Sequence, residues 1–197
     1  MNEIATDERD AADMVRLADG HDASLNDLME RHGEKLFHYL IRCLQNEEDA
    51  ADLAQETFVR VYQHRKRFRA GSKFSTWLYT IATNLVRTRY RFRTHHPEVS
   101  LDAETTQSGG TLRDVLREDK PTPSESLQGE ERAGAIRQAV AALPEDLRTP
   151  LLLAEYEEKS QAEIAQILNC SPKAIEMRIY RARQQLRVSL GPLLGVA

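Results

Sequence analysis

The chain has 197 residues, 41% of them hydrophobic, 29% charged and 6% aromatic, with a net charge of −4 at pH 7. That describes a soluble globular chain of one large or two small domains, without the roughly 18-residue apolar run of a membrane span. Residues 1–14 are acidic and lack the apolar stretch of a secretory leader, and Cys43 and Cys170 are too far apart for a disulfide framework or a zinc cluster, which suits a reducing cytoplasm.

Helical periodicity dominates, and strand alternation is nearly absent, so an all-α fold is expected. Ser24 is a candidate N-cap for a helix carrying Leu25, Leu28, Met29, Leu36, Leu40 and Leu44. Asn46 then caps a second helix whose first turn holds Glu47, Glu48 and Asp49, where carboxylates complement the helix dipole. Leu53, Ala54, Phe58, Val61 and Tyr62 are its apolar positions, and residues 67–73 break it. A third helix is predicted over Ser75–Arg93, with Trp77, Leu78, Ile81, Leu85 and Phe92 facing inward.

Between 95 and 129 the periodicity fails. Pro97, Gly109, Gly110, Pro121, Pro123 and several Ser and Thr residues give an acidic linker, with room for one short helix near Leu112–Leu116. A loop of that length argues for two domains, at 10–94 and 130–190. The second is helical again. Ala133–Leu143 ends at Pro144, and Glu145–Glu155 contains Pro150, a kink or restart point. Ser160-Gln161-Ala162-Glu163 is a capping box opening a short helix to Leu168. After Asn169-Cys170-Ser171, Ser171 caps and Pro172 begins a last helix, expected to stop near Leu190 before Gly191-Pro192.

Charge is segregated along this framework. Residues 57–93 hold ten bases and no acid, and residues 172–197 hold five bases and one acid, inside a chain that is acidic elsewhere. Two basic blocks of this kind point to polyanion contact at two places.

Residues 160–187 have helix-turn-helix spacing, with Ile164, Ala165 and Leu168 on one helix and Ala174, Ile175, Ile179 and Leu186 on the next. The second helix carries Lys173, Glu176, Met177, Arg178, Tyr180, Arg181 and Arg183. Its first residues would enter a major groove, where Arg and Lys reach guanine and Glu accepts from cytosine, and its later arginines would reach phosphates. A helical hairpin with a solvated basic face is the plainer alternative.

In the acid-free block, Arg60, Arg65, Lys66, Arg67, Arg69 and Lys73 crowd a helix end and a loop, and Arg87, Arg89, Arg91 and Arg93 follow. Asn84, Arg87 and Arg91 lie away from the apolar stripe, where an amide can read an adenine edge. Phe68, Phe74, Trp77 and Tyr79 lie near the loop and could stack on unpaired bases, although the spacing of Phe74 and Trp77 favours core packing. Asp49, Asp52, Gln55 and Glu56 share one helix face, which is either solvated or a dock for a basic protein. Enzyme signatures are missing: the sequence has no GxxxxGK[ST], HExxH, GxGxxG or GxSxG, and neither a catalytic residue nor a metal or cofactor site is expected.

Residues 49–62 (DAADLAQETFVRVY) and 74–84 (FSTWLYTIATN) resemble region 2 of bacterial sigma factors. Leu143-Pro144, Glu163-Ile164-Ala165 and Ile179-Tyr180-Arg181-Ala182-Arg183 resemble their region 4. Only these two regions are present, the layout of the extracytoplasmic-function group of the sigma-70 family.

The resemblance implies a dissociable, non-catalytic subunit that binds core RNA polymerase and directs promoter-specific initiation. It assigns Asp49, Asp52, Leu53, Gln55, Glu56 and Phe58 to docking on the β′ clamp helices. Arg67, Phe68, Arg69, Lys73, Trp77, Asn84, Arg87 and Arg91 would hold the opened −10 element. Lys173, Glu176, Met177, Arg178, Tyr180, Arg181 and Arg183 would read the −35 duplex, beside the β flap. It also implies an anti-sigma factor as a partner and no membrane insertion. The competing expectation is an autonomous helix-turn-helix regulator, which would leave residues 57–93 without a task.

Overall fold

The computed structural model describes residues 3–69, 71–95 and 123–194, and these are all-α. The helices are α1 (Glu3–Ala18), α2 (Ala23–Leu44), α3 (Glu47–Gln63), α4 (Phe74–His95), α5 (Pro123–Ala141), α6 (Glu145–Glu155), α7 (Gln161–Leu168) and α8 (Pro172–Leu194), with a 3₁₀ turn at Arg65–Arg67. No helix among the described residues is long and apolar enough to cross a membrane.

The helices form two groups. In the first, α2 packs on α1, α3 and α4, and its Leu28, Leu36, Tyr39, Leu40 and Cys43 are buried. Tyr39 Oη meets Thr83 Oγ1 of α4 at 3.0 Å, and the Tyr90 hydroxyl of α4 donates to the Cys43 carbonyl oxygen. In the second, α8 packs on α5, α6 and α7. Leu147, Leu151, Leu152, Leu153, Ile164, Ile167, Ile175 and Ile179 fill that core.

Helix ends follow the sequence in most places. Asn46 Oδ1 accepts from the Asp49 N–H at 2.8 Å, the expected N-cap of α3. Gln45 just before it has φ +55°, the left-handed turn that ends α2. Ser160 and Glu163 form the reciprocal capping box, and Ser171 Oγ accepts from the Ala174 N–H at 3.2 Å. Asn169, at φ +50°, makes the turn between α7 and α8.

Several expectations are corrected. Ser24 is not the cap of α2. It lies inside the first turn, buried, and its Oγ accepts from Arg16 Nε at 3.3 Å. Met29 and Phe92 are exposed rather than inward-facing. Pro150 does not restart a helix, since α6 runs unbroken from Glu145 to Glu155 around it. Helix α8 continues through Gly191-Pro192 to Leu194, and α5 starts at Pro123, earlier than Ala133. The short helix expected near Leu112–Leu116 lies outside the described residues, as does residue 70 of the breaking loop.

Helix α1 has no counterpart in the sequence reading. Its Met14 and Leu17 join the core, but Asp10 and Asp13 are buried beside them. Arg31 Nε donates to Asp10 Oδ1 at 2.9 Å, His32 Nε2 meets Asp10 Oδ2 at 2.7 Å, and Arg31 and Arg16 both reach Asp13. Buried carboxylates persist only with such partners.

Two stability predictions follow from these contacts. Arg31→Ala takes one of two partners from each of the buried carboxylates Asp10 and Asp13 and should cost about 3 kcal/mol in urea unfolding. Ser160→Ala should cost about 1 kcal/mol at neutral pH through loss of the cap. Burial alone would raise the Glu163 carboxyl, but bonds from the Ser160 hydroxyl and N–H and the nearby Lys73 outweigh it and bring it to about 2. A depressed carboxyl stabilises the fold above its ordinary range and loses that effect as pH falls toward about 2, so the penalty of Ser160→Ala should shrink across that interval.

Candidate nucleic-acid interface

The acidic face of α3 divides in two. Asp52 and Gln55 are exposed, and half-buried Glu56 accepts from Arg60 Nε at 2.8 Å. Asp49 is 9% exposed and pairs with Arg89 of α4 at 2.7 Å, so it ties α3 to α4. Leu53 and Phe58 are core residues beneath that face. Asp52, Gln55, Glu56 and Val59 line one wall of an open groove, with Leu85, Thr88, Arg89 and Phe92 of α4 opposite. The groove is therefore an apolar slot with an acidic rim.

Across α4 the character changes. Asn84 and Arg91 are exposed and Arg87 half-buried, on one side of the helix by their i, i+3, i+7 spacing. Arg67 ends the 3₁₀ turn, and Arg67 and Arg69 are exposed. Phe68 and Trp77 are half-buried. Their rings lie 5.5 Å apart and both pack against Phe74, which is 1% exposed, at 6.4 and 6.3 Å. These aromatics anchor the basic loop to the bundle, leaving its cations outward.

On α8, Lys173, Glu176, Met177, Tyr180, Arg181 and Arg183 are exposed along one side, opposite buried Ile175, Ile179 and Ala182. This is the geometry of a recognition helix, positioned by α7 and its capping box. Lys173 Nζ bonds Glu176 at 2.9 Å, and Arg183 Nη2 bonds Glu155 Oε1 at 2.6 Å. Arg178 is half-buried and its Nη1 lies 3.9 Å from Cys170 Sγ.

The two helical groups also meet. Helix α4 packs on α7, and α2 on α6 and α5. The Tyr79 hydroxyl of α4 donates to Glu157, whose side chain is only 5% exposed. Arg42 Nη1 lies 3.9 Å from Glu157 Oε1, and its guanidinium sits 4.2 Å over the Tyr156 ring. Lys159 Nζ donates to Ser75 Oγ at 2.9 Å and lies 5.6 Å from the Tyr79 ring centre. Arg148 Nη2 donates to Tyr90 Oη at 2.5 Å and Arg148 Nη1 to the Ala141 carbonyl at 2.9 Å. At the rim, Lys73 Nζ lies 3.1 Å from Glu163 Oε1 and 3.5 Å from Asp7 Oδ2, and Arg87 Nε lies 3.6 Å from Glu145 Oε1.

Burial governs the titration of this junction. It raises the Glu157 carboxyl against the opposing Tyr79 bond and the Arg42, Lys159 and Lys35 charges. It raises the Tyr79 hydroxyl further, helped by the Glu157 charge, and pushes the Cys43 thiol up to about 12. No local periodicity announces such contacts. Only the buried aromatic Tyr79 on the apolar side of α4 was a visible signal.

Family comparisons bear on the same elements. The model of Sigma-70 region 2 matches residues 28–96, and that of Sigma-70, region 4, matches residues 133–186. RNA polymerase sigma-H factor of Pseudomonas aeruginosa is 32% identical over 198 residues, spanning 98% of this chain and 100% of the relative. ECF RNA polymerase sigma factor SigW of Bacillus subtilis is 35% identical over 175 residues, 88% of this chain and 92% of that one. The solved structure of CnrH in complex with the cytosolic domain of CnrY aligns with a TM-score of 0.67 at 25% identity, covering 93% of this chain and 98% of CnrH. With the acidic slot, the outward cations of α4 and the capped recognition helix in the same order as those two regions, the chain belongs to the extracytoplasmic-function group of the sigma-70 family, non-catalytic factors that direct RNA polymerase to promoters.

Proposed function

We propose that the slot between α3 and α4 docks on the β′ clamp helices of core polymerase, with Asp52, Gln55 and Glu56 meeting basic side chains of that partner. Leu53 and Phe58 support the slot from the core, and Asp49 fixes its geometry through Arg89. Arg67, Arg69, Lys73, Asn84, Arg87 and Arg91 hold the opened −10 strand, with Phe68 and Trp77 bracing the loop. Capture of bases that have left the stack offsets their unpairing, about a few kcal/mol each. Lys173, Glu176, Met177 and Tyr180 face base edges of the −35 duplex, and Arg178, Arg181 and Arg183 its backbone. The β flap is the partner of the second unit in the polymerase.

The observation that carries this reading is the coexistence of an acidic protein-docking slot and two separate cationic surfaces on one chain. An autonomous regulator needs only the last of the three. An anti-sigma factor is proposed as a further partner, in keeping with the partner-bound state of the similar CnrH.

Transcription with purified core polymerase and a mixed promoter library tests the whole reading: the chain should direct start-site-specific transcripts, and their absence refutes it. Asp52→Arg should abolish binding to core in a pull-down while far-ultraviolet circular dichroism stays that of the parent. Unaltered core binding would remove the docking assignment. Arg181→Ala should weaken binding to −35 duplex evenly across sequences and reduce the slope of log K against log salt by about 1. An unchanged slope takes Arg181 off the phosphate-contacting side.

A further inference from the structure

We propose that the free chain holds itself shut through a polar latch centred on Glu157, and that closing takes Lys73 and Arg87 away from DNA. The proposal rests on the assignment of those two cations to the −10 surface given above. It goes beyond that assignment by giving the chain its own off state, without any second protein.

The latch is assembled from two helices of the first unit, α2 and α4, and one loop of the second. Glu157 receives the Tyr79 hydroxyl from α4 and faces Arg42 from α2, while its neighbour Lys159 donates to Ser75 at the start of α4. Tyr156 completes the loop by lying under the Arg42 guanidinium. A carboxylate exposed by only 5% needs this whole set, because each missing partner leaves part of a charge desolvated.

The rim shows what closing conceals. Glu163 and Glu145 belong to the second unit, and they sit 3.1 and 3.6 Å from Lys73 and Arg87 of the first. A carboxylate at that distance from a Lys or Arg occupies the place a phosphate oxygen would take. The second unit thus offers the first a set of internal anions, and DNA must displace them. Polar junctions of this kind hold domains reversibly, since water and salt replace their bonds at modest cost.

The full-length chain tests this in two measurements, small-angle scattering and binding of a random-sequence 20-nucleotide single-stranded DNA. Glu157→Arg sets a third cation against Arg42 and Lys159, and exposed Glu131→Arg on α5 makes the same charge change away from the latch. Glu157→Arg should enlarge the radius of gyration and tighten DNA binding about fivefold or more relative to Glu131→Arg. Tyr79→Phe, which leaves the charge unchanged, should move both readouts the same way by less. A folded Glu157→Arg chain as compact as the parent overturns the latch. One that expands without outbinding Glu131→Arg overturns the concealment of Lys73 and Arg87. Where Glu157→Arg loses helix content, Tyr79→Phe and Lys159→Ala decide by the same two readouts, and parent-like values overturn the proposal. Failure of the docking and promoter-reading assignments would appear instead as an absence of transcripts with core polymerase, with the scattering result unaffected.

Discussion

Ten cations follow one another between residues 57 and 93 without a single anion among them. Like charges at that density repel, so every countercharge has to arrive from another part of the chain or from another molecule. Much of the architecture answers this constraint. Asp49 crosses from α3 to Arg89, Glu56 reaches forward to Arg60, and Glu145 and Glu163 reach Arg87 and Lys73 from the second unit. These pairs are solvent-accessible at their cationic side, hence individually weak and sensitive to salt. A nucleic acid presents many phosphates at once and competes with them on favourable terms.

The acidic remainder of the chain is the counterpart of that block. Its carboxylates fall into those held deep in the fold and those left at the surface. Asp10 and Asp13 are sealed between α1 and α2 with two arginines and a histidine, and they secure the bundle. Asp52 remains outside, beside the Gln55 amide and an apolar slot. Val59 and Phe92 lie exposed next to that short polar ridge, as the proposed docking on a protein partner requires.

Wherever function and fold are written in local chemistry, they could be read from the residues alone. Asn46 with its following acids, Ser160 with Glu163, and Pro172 after Ser171 each fix a helix start by hydrogen bonds to near neighbours, and each start falls where expected. Helix α1 was hidden because its buried side mixes Asp10 and Asp13 with Met14 and Leu17, which erases the amphipathic pattern. Ser24 misled because a serine ahead of an apolar stripe has the form of a cap, while its hydroxyl is turned to Arg16. Phe92 and Met29 have helical spacing but reach past the edge of the bundle. Of the proposed site, the identities of the outward cations were legible. The pairing of Tyr79 with Glu157 joins residues 78 positions apart and leaves no trace in spacing.

Glu163 serves two masters at once, as one of its carboxylate oxygens accepts from Ser160 while the other faces Lys73. Departure of the lysine would leave the oxygen engaged with Ser160 undisturbed. The start of α7 therefore keeps its anchor with or without the lysine, and opening of the proposed latch would leave no stretch of backbone to rewind.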